Sequence, residues 1–431
     1  MKINGDSDIS FLGKVMLLFK SAWQRLKSIK LFSRIKKRQM ELAGYEGENS
    51  SENAKMSYAF GMLRIISVTL LCVLLCLTLI FGGGIFSYEN VYYMFKDIEY
   101  VHSFGESRPE QLNYSRPIAR QDVTEFKNGL AVASDSEIKL FTSTGRVTLT
   151  RGSEYSNPKL LASDSSILIY DQGNRSFAIY NSFTELHREK LDFPIGCADM
   201  AANGWYAVVT RSQKYNSSIR IYNNRNKLEM EYFKNDYVVS ISLSSDAKFM
   251  AVTSLDVSGG SSRTTVTVVD IKKGEVRSEL KLADTMPYVC DFISDSRIAV
   301  ICSDHSAVYD KDLSAKGRYD YASRLVRYTT DAGGFALVFE DGGIASNNMI
   351  AVFDTSGGVT FTGYAPGDVS DVRLVGEYAF VLTKDFAFRF DTRFGGRAQS
   401  RFESDGARLA VFDGGEVAIC TGAAAYYISF E

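Results

Sequence analysis

The chain has 431 residues, of which 45% are hydrophobic and 23% charged, and its formal net charge is −2. This length accommodates one large domain or two to three ordinary ones. The charge is uneven: residues 1–86 contain 12 Lys or Arg against 6 Asp or Glu, which leaves 37 against 45 in residues 87–431. An acidic body argues against nucleic-acid binding by that part of the chain.

The first predicted element is a basic amphipathic helix. Residues 11–38 contain nine Lys or Arg and no acidic residue. At 100° per residue, apolar side chains share one face, whereas Lys14, Lys20, Arg25 and Lys27 lie on or beside the opposite face. This pattern is typical of a helix that lies on anionic lipid headgroups. Docking of the helix on a protein partner is the alternative.

The second predicted element is a transmembrane helix. The stretch Ile65–Tyr88 carries no charged residue over 24 positions, whereas about 20 apolar residues suffice to cross a bilayer. It is too long, and starts too late in the chain, for a secretory signal peptide. We therefore expect three parts: a cytoplasmic helix and linker in residues 1–60, a membrane helix in 61–88, and a folded domain in 89–431.

The charges that flank this stretch predict its orientation. Lys and Arg predominate before it, and Asp and Glu predominate after it. Because cytoplasmic flanks of membrane helices are enriched in Lys and Arg, we expect a single-pass protein of the cell membrane with a cytoplasmic N-terminus. Its C-terminal domain would then be extracytoplasmic.

The C-terminal domain contains a repeat. A short strand ends in an aromatic residue or Val, often followed by Asp and a turn, as in "VTVVDIKKG" and "IAVFDTSGG". The anchor residues of these strands are Phe141, Tyr180, Tyr222, Val269, Tyr309, Phe353, Phe390 and Phe430. Their mean spacing of about 41 residues matches the length of a four-stranded propeller blade.

Each anchor strand is preceded by two apolar runs joined by a small polar turn, as in "VSISLSSDAKFMAVTS". Such runs predict a buried hairpin, and a more charged strand after several anchors predicts the outer edge of a blade. We therefore expect an all-β fold, a propeller of about eight four-stranded blades, with seven as the alternative. The last repeat lacks an outer strand, and Asp97–Phe104 is predicted to supply it and close the ring.

This hairpin followed by a "VxVxD-x-x-x-G" strand resembles WD40-like and YVTN-type β-propellers. With its single N-terminal span, the chain is also similar to uncharacterised membrane-anchored propellers of Gram-positive bacteria, which form a domain of unknown function. The resemblance covers roughly residues 97–431 and implies the fold. It implies no catalytic residues, and the Trp-Asp and Gly-His signatures of true WD40 repeats are absent from the sequence.

The sequence offers no recognisable catalytic or metal-binding motif. The three histidines, His102, His187 and His305, have no metal-ligand spacing. Aspartates that recur after the anchors are interpreted as turn initiators. Cys290 and Cys302 flank a hairpin turn symmetrically, so both a disulfide and two free thiols remain open. We expect no cofactor, no metal and no enzymatic activity.

Two long loops are the predicted binding region. They follow the inner hairpins of the fourth and sixth repeats, so both should project from one rim of the ring, where insertions often mark a binding face. The candidate residues are Asp256, Ser261, Arg263, Glu340, Asp341, Asn347 and Asn348. The function we expect is protein interaction, scaffolding or sensing in the cell envelope, with an unidentified protein or envelope partner. An envelope hydrolase or lyase with a site at the central channel, and a transmembrane signal relay, are the alternatives.

Overall fold

Eight antiparallel sheets of four strands each form the C-terminal part of the chain in the computed structural model. The structure describes residues 60–61, 63–64, 66–71, 110–114, 121–257, 262–340, 347–402, 408–412 and 415–430. Because the sheets number eight, the prediction of eight blades rather than seven is confirmed.

Blades 1 to 4 follow one another in the chain, and each runs from its innermost to its outermost strand. Their strands are β2 (Gln121–Phe126), β3 (Gly129–Ser134), β4 (Glu137–Phe141) and β5 (Val147–Gly152); β6 (Pro158–Ala162), β7 (Ile167–Asp171), β8 (Ser176–Tyr180) and β9 (Glu185–Lys190); β10 (Ile195–Met200), β11 (Tyr206–Thr210), β12 (Ser217–Tyr222) and β13 (Leu228–Lys234); β14 (Tyr237–Leu243), β15 (Phe249–Asp256), β16 (Arg263–Asp270) and β17 (Glu275–Ala283).

Blades 5 to 7 repeat this order, and blade 8 combines three late strands with the earliest one. Their strands are β18 (Pro287–Ser294), β19 (Arg297–Cys302), β20 (His305–Asp310) and β21 (Ala315–Asp320); β22 (Leu325–Asp331), β23 (Gly334–Glu340), β24 (Asn347–Asp354) and β25 (Val359–Pro366); β26 (Val369–Val375), β27 (Tyr378–Thr383), β28 (Phe386–Asp391) and β29 (Arg397–Arg401); β30 (Arg408–Val411), β31 (Val417–Cys420), β32 (Ala424–Ile428) and β1 (Gln111–Asn113).

The outer strand of blade 8 is β1, in which Leu112 pairs with Ala425 of β32. The segment predicted for this place was Asp97–Phe104, which lies outside the described residues, whereas the outer strand that the structure describes is formed by Gln111–Asn113. First strands of neighbouring blades contact each other all the way round, including β30 with β2. The sheets therefore surround a central channel.

The core consists of one apolar cluster between each pair of neighbouring blades. Between blades 8 and 1, for example, Leu112, Val123 and Phe412 pack together. Equivalent clusters fill the other seven interfaces. Second strands such as β7 and β11 are buried along their whole length because a blade covers each of their two faces. Fourth strands alternate between exposed and half-buried side chains, as expected for an outer edge.

The anchor residues occupy the third strands, as the repeat pattern predicts, except that Phe430 lies two residues beyond β32. The aspartates that follow several of them initiate turns. Asp354, for example, accepts backbone N–H bonds from Ser356 and Gly358 at 2.8 and 3.0 Å, and Asp391 does the same for Arg393 and Phe394. Their structural interpretation is confirmed.

Cys290 and Cys302 are free and buried. Cys290 lies opposite Val300, whereas Cys302 lies opposite Pro287, so the pairing of β18 with β19 does not set the two thiols against each other. The symmetry of the sequence about the turn was misleading because β18 contains two bulges, each of which shifts the register.

The chain divides into two compact units, Met1–Tyr92 and Tyr93–Glu431. In the first unit, residues 60–61, 63–64 and 66–71 are helical. Among the residues that the structure describes, no helix is both long and apolar enough to cross a membrane. The predicted amphipathic helix with Lys14, Lys20, Arg25 and Lys27, and the greater part of the predicted span, lie outside those residues.

Candidate functional site

A cavity of about 760 Å³ opens at one end of the channel, where the first hairpin of each blade turns. Several carboxylates line it, and they come from different blades: Glu125, Asp164, Asp199, Asp291 and Asp331. Lys127 of the first hairpin is the one basic residue in this described lining. No pattern in the sequence indicates these residues as a group.

Most of these carboxylates serve as acceptors between blades. The backbone N–H of Leu243 in blade 4 donates to Asp199 of blade 3 at 2.7 Å. In the same arrangement the N–H of Leu160 donates to Asp122 at 2.9 Å and that of Leu409 donates to Asp371 at 2.8 Å, whereas the N–H of Val411 in blade 8 donates in the opposite sense to Glu125 of blade 1 at 2.7 Å. First strands of neighbouring blades are not paired into a common sheet, so an aspartate on one strand satisfies a backbone donor of the next.

Asp291 on β18 links three blades. Its two oxygens accept hydroxyl hydrogen bonds from Ser242 of blade 4 and Thr330 of blade 6, both at 2.6 Å. The Ser242 hydroxyl also accepts the backbone N–H of Phe292 at 3.1 Å. Both oxygens of Asp291 are therefore engaged.

Burial raises the pKa values of three of these acids. Burial, and then the charge of Asp291, raise the pKa of Asp199 to about 7. Burial also raises the pKa of Asp291, against the opposing effect of its two hydroxyl donors. At Asp331 burial is again the main cause of a raised pKa, with the charge of Asp291 a smaller one. At neutral pH the Asp199 carboxyl is therefore protonated in a larger fraction of molecules than an isolated aspartate would be.

The histidines lie elsewhere. His187 is on the outer strand β9, 3.5 Å from Glu189, and His305 is buried on β20, 3.1 Å from Asp304. His102 is outside the described residues. Within the part of the chain that the structure describes, no three His, Cys, Asp or Glu side chains are arranged to hold a metal ion.

The strand ends that border the two predicted binding loops lie at the other end of the channel. Asp256 and Arg263 face each other across β15 and β16, and Glu340 pairs with Asn348 across β23 and β24. Asn347 begins β24. The Asn348 side chain donates to the carbonyl of Gly367 at 2.6 Å, so its role here includes holding a turn. Ser261 and Asp341 are outside the described residues.

Exposed apolar side chains lie in or just before the first strands of blades 4 to 6 and, in the case of Val257, directly after β15. We call them the aromatic rim: Tyr237, Val239, Val257, Met286, Tyr288 and Tyr328. Tyr288 and Tyr328 are 41% and 38% exposed, and their rings stack at 6.1 Å with an interplanar angle of 2°. Met286 is 51% exposed. Such a cluster of exposed aromatic and apolar residues is typical of an interaction surface.

Backbone bulges help to place the rim. The register between the first and second strands shifts in blades 3 to 7, and the shift leaves Val239 and Tyr288 without an opposite residue. A bulge re-aims a side chain and commonly does so near a functional surface. No pattern in the sequence predicts these bulges, since the strands read as ordinary alternating runs.

Comparison with solved structures supports the fold. BamB from Moraxella catarrhalis aligns with a TM-score of 0.52 and 10% sequence identity, over 75% of this chain and 99% of that chain. The Neurospora crassa Pan2 WD40 domain gives 0.45 and 12%, over 63% and 88% of the two chains, and the C-terminal WD40 domain of Sif2 gives 0.38 and 11%, over 62% and 93%. At these identities the likeness concerns the β-propeller fold alone.

Comparison with curated protein sequences finds no match. A family model does match, over residues 110–416, which include most of the eight blades. The chain therefore belongs to DUF5711, a family of unknown function.

Proposed function

We propose that the chain is a membrane-anchored, extracytoplasmic propeller that binds a protein partner through the aromatic rim and the two loops beside it. β-Propellers generally mediate protein interactions, which is as far as the fold itself leads. Anchoring is supported by the uncharged stretch Ile65–Tyr88 and its basic flank. The described helical residues add to this, because Phe60, Leu63 and Leu70 are each more than 60% exposed.

The observation that carries the proposal is the position of the rim. Three tyrosines and three aliphatic or thioether side chains are exposed together, on consecutive blades and at one end of the channel. Exposing that much apolar surface to water is unfavourable, and a partner that covers it recovers the free energy. The loops of blades 4 and 6 flank the rim and supply polar groups such as Arg263 and Glu340 for its edge.

A photo-crosslinking amino acid placed at position 288 in the full chain tests this proposal. We expect irradiation of intact cells to give one discrete crosslinked adduct, which a second substitution in the rim, Tyr328→Asp, abolishes. The matched control carries the same amino acid at position 394, because Phe394 is 78% exposed but lies in a turn at the opposite end of the channel.

The comparison between the two positions decides the outcome. An adduct at position 288 that is absent at position 394 supports binding through the rim. Equal adducts at both positions, or none at position 288, would show that the rim is not the binding surface.

An envelope hydrolase or lyase is the second candidate function, and the carboxylates at the cavity favour it. General acid and base catalysis often uses a pair of carboxylates with separated pKa values. The bonds of Asp291 to Ser242 and Thr330 count against it, since a catalytic carboxylate needs an oxygen that is free to reach a substrate. We therefore rank interaction above catalysis.

A further inference from the structure

A groove crosses the first strand of blade 3 at the end of the channel that carries the aromatic rim. Its volume is about 680 Å³, which is typical of a ligand site. One wall is the start of β10, with Phe193 and Pro194 just before it, and the other is the start of β14, with Tyr237 and Val238. The loop that joins β11 to β12, residues 211–216, completes the lining. We call this site the blade-3 groove.

The groove presents apolar surface to water. Tyr237 is 43% exposed, Pro194 is exposed, and Phe193 and Val238 are half-buried. Because Tyr237 also belongs to the aromatic rim, the groove continues the apolar surface of the rim from blade 4 to blade 3. A partner that covers the rim and the groove together therefore buries more apolar surface than one that covers the rim alone.

Hydrogen bonds hold the walls of the groove in place. The hydroxyl of Ser217 in blade 3 accepts the backbone N–H of Val238 in blade 4 at 2.9 Å. The hydroxyl of Thr210 donates to the carbonyl of Pro194 at 3.0 Å, and the hydroxyl of Ser212 accepts backbone N–H groups of its own loop. A groove that is formed before its ligand arrives loses little conformational entropy on binding.

Arg211 is the one charged residue in the described lining of the groove, and it is exposed. Its guanidinium lies over the Tyr237 ring, 5.7 Å from the centroid. Lys214 of the same loop is also exposed. In the described part of the chain, neither cation forms an ion pair with a carboxylate. A guanidinium that faces a ring still has N–H groups at its edge, and these bind a carboxylate through two parallel hydrogen bonds.

The acidic residues that are nearest along the chain do not supply this carboxylate. Asp236 precedes Tyr237, is half-buried, and accepts the hydroxyl of Ser254 at 3.3 Å. Asp192 precedes Phe193, and neither aspartate is part of the described lining. The groove therefore combines apolar walls with positive charge, and its complement is a ligand that combines an apolar group with a negative charge.

We propose that the blade-3 groove binds a peptide segment of the protein partner in which an Asp or Glu residue lies next to an apolar residue. The carboxylate pairs with Arg211, with Lys214 beside it, and the apolar side chain packs against Phe193 and Val238. This inference rests on the proposed function, because it names the chemistry of the partner that the aromatic rim binds.

A photo-crosslinking amino acid at position 213 of the full chain tests this inference in intact cells, because Gln213 lines the groove and is exposed. We expect an adduct with the protein that position 288 captures, and an Asp or Glu beside an apolar residue in the crosslinked peptide. Arg211→Glu should lower the adduct yield at least about tenfold, since it sets like charges against each other. The matched control is Arg225→Glu, the same charge change at an exposed position of blade 3 at the opposite end of the channel, which should leave the yield unchanged.

Charge exchange gives a second readout that a change in folding does not mimic. Replacing the acidic residue of the crosslinked peptide with Lys should remove the adduct with the wild-type chain and restore it with Arg211→Glu. An adduct with a second copy of this chain, with a lipid or glycan, or with a peptide that lacks an acidic residue would overturn the inference.

The two crosslinking positions separate this inference from the proposed function. If position 288 gives an adduct and position 213 gives none, or if Arg211→Glu and Arg225→Glu have equal effects, the groove inference fails and the rim proposal stands. The expected adduct at position 213 with none at position 288 would overturn the rim proposal alone. No adduct at either position would overturn both.

Discussion

Replacing Leu112 with Asp is expected to lower the free energy of unfolding of the propeller by more than about 4 kcal/mol. Leu112 is 3% exposed and is the inward-facing residue of β1, where it packs with Val123 and Phe412. A charge at this position has no partner in the apolar cluster between blades 8 and 1. The substitution should detach β1 from β32 and expose a strand edge.

Urea unfolding of the full chain measures this effect, and limited proteolysis locates it. The control is Asn113→Asp on the same strand, because Asn113 is exposed and pairs with Ala424. We expect the control to unfold like the wild type, and Leu112→Asp to unfold at much lower urea and to be cleaved first in blade 8. If both variants unfold at the same urea concentration, β1 does not hold the ring closed.

Replacing Asp122 with Ala is expected to cost about 2–3 kcal/mol. Asp122 is 7% exposed, accepts the Leu160 N–H from blade 2, and forms an ion pair with Arg408 from blade 8. Its loss leaves a buried amide without an acceptor. It also leaves a guanidinium in the channel wall without its counter-ion, although 42% exposure of the Arg408 side chain lets water compensate in part.

The control for this prediction is an ion pair without such burial. Asp320 is 71% exposed and lies 2.8 Å from Arg318, so Asp320→Ala should cost less than about 1 kcal/mol. Urea unfolding midpoints of both variants and the wild type decide the matter. Equal losses for Asp122→Ala and Asp320→Ala would contradict the idea that first-strand aspartates hold the blades together.

The parts of this fold that were predictable depend on local sequence. The hairpins, the third-strand anchors and the Asp turns each use side chains within a few residues of one another, so the repeat of about 41 residues is visible in the chain. The Asp391 turn is an example, because its acceptor and donors lie within three residues. The number of blades followed from counting these local units.

The polar side chains of the first strands that line the channel were not predictable in the same way. Asp199 appears in the sequence as one acid in an apolar run, and its partner Leu243 lies 44 residues further along. Only the alignment of neighbouring blades brings the two together. A search for a polar residue at the same place in neighbouring first strands would have found Asp199, Ser242 and Asp291 as a series.

The aromatic rim was not predicted from the sequence for a related reason. Tyr288 and Tyr328 are 40 residues apart, and in the sequence both read as members of buried strands. The bulge at Tyr288 re-aims the side chain, and register shifts of this kind depend on packing between blades. The two predicted loops, in contrast, were visible in the sequence as long polar insertions.

Thiol labelling of intact cells tests the central claim, an extracytoplasmic propeller anchored by its N-terminal part. Lys227 is 75% exposed in a turn of blade 3, so Lys227→Cys in the full chain, with Cys72 and Cys76 changed to Ser, provides one accessible thiol. The four cysteines of the propeller are buried or half-buried and react poorly. A membrane-impermeant maleimide should label this variant in intact cells and should label Ser10→Cys only after lysis. Labelling of Lys227→Cys only after lysis would contradict the account.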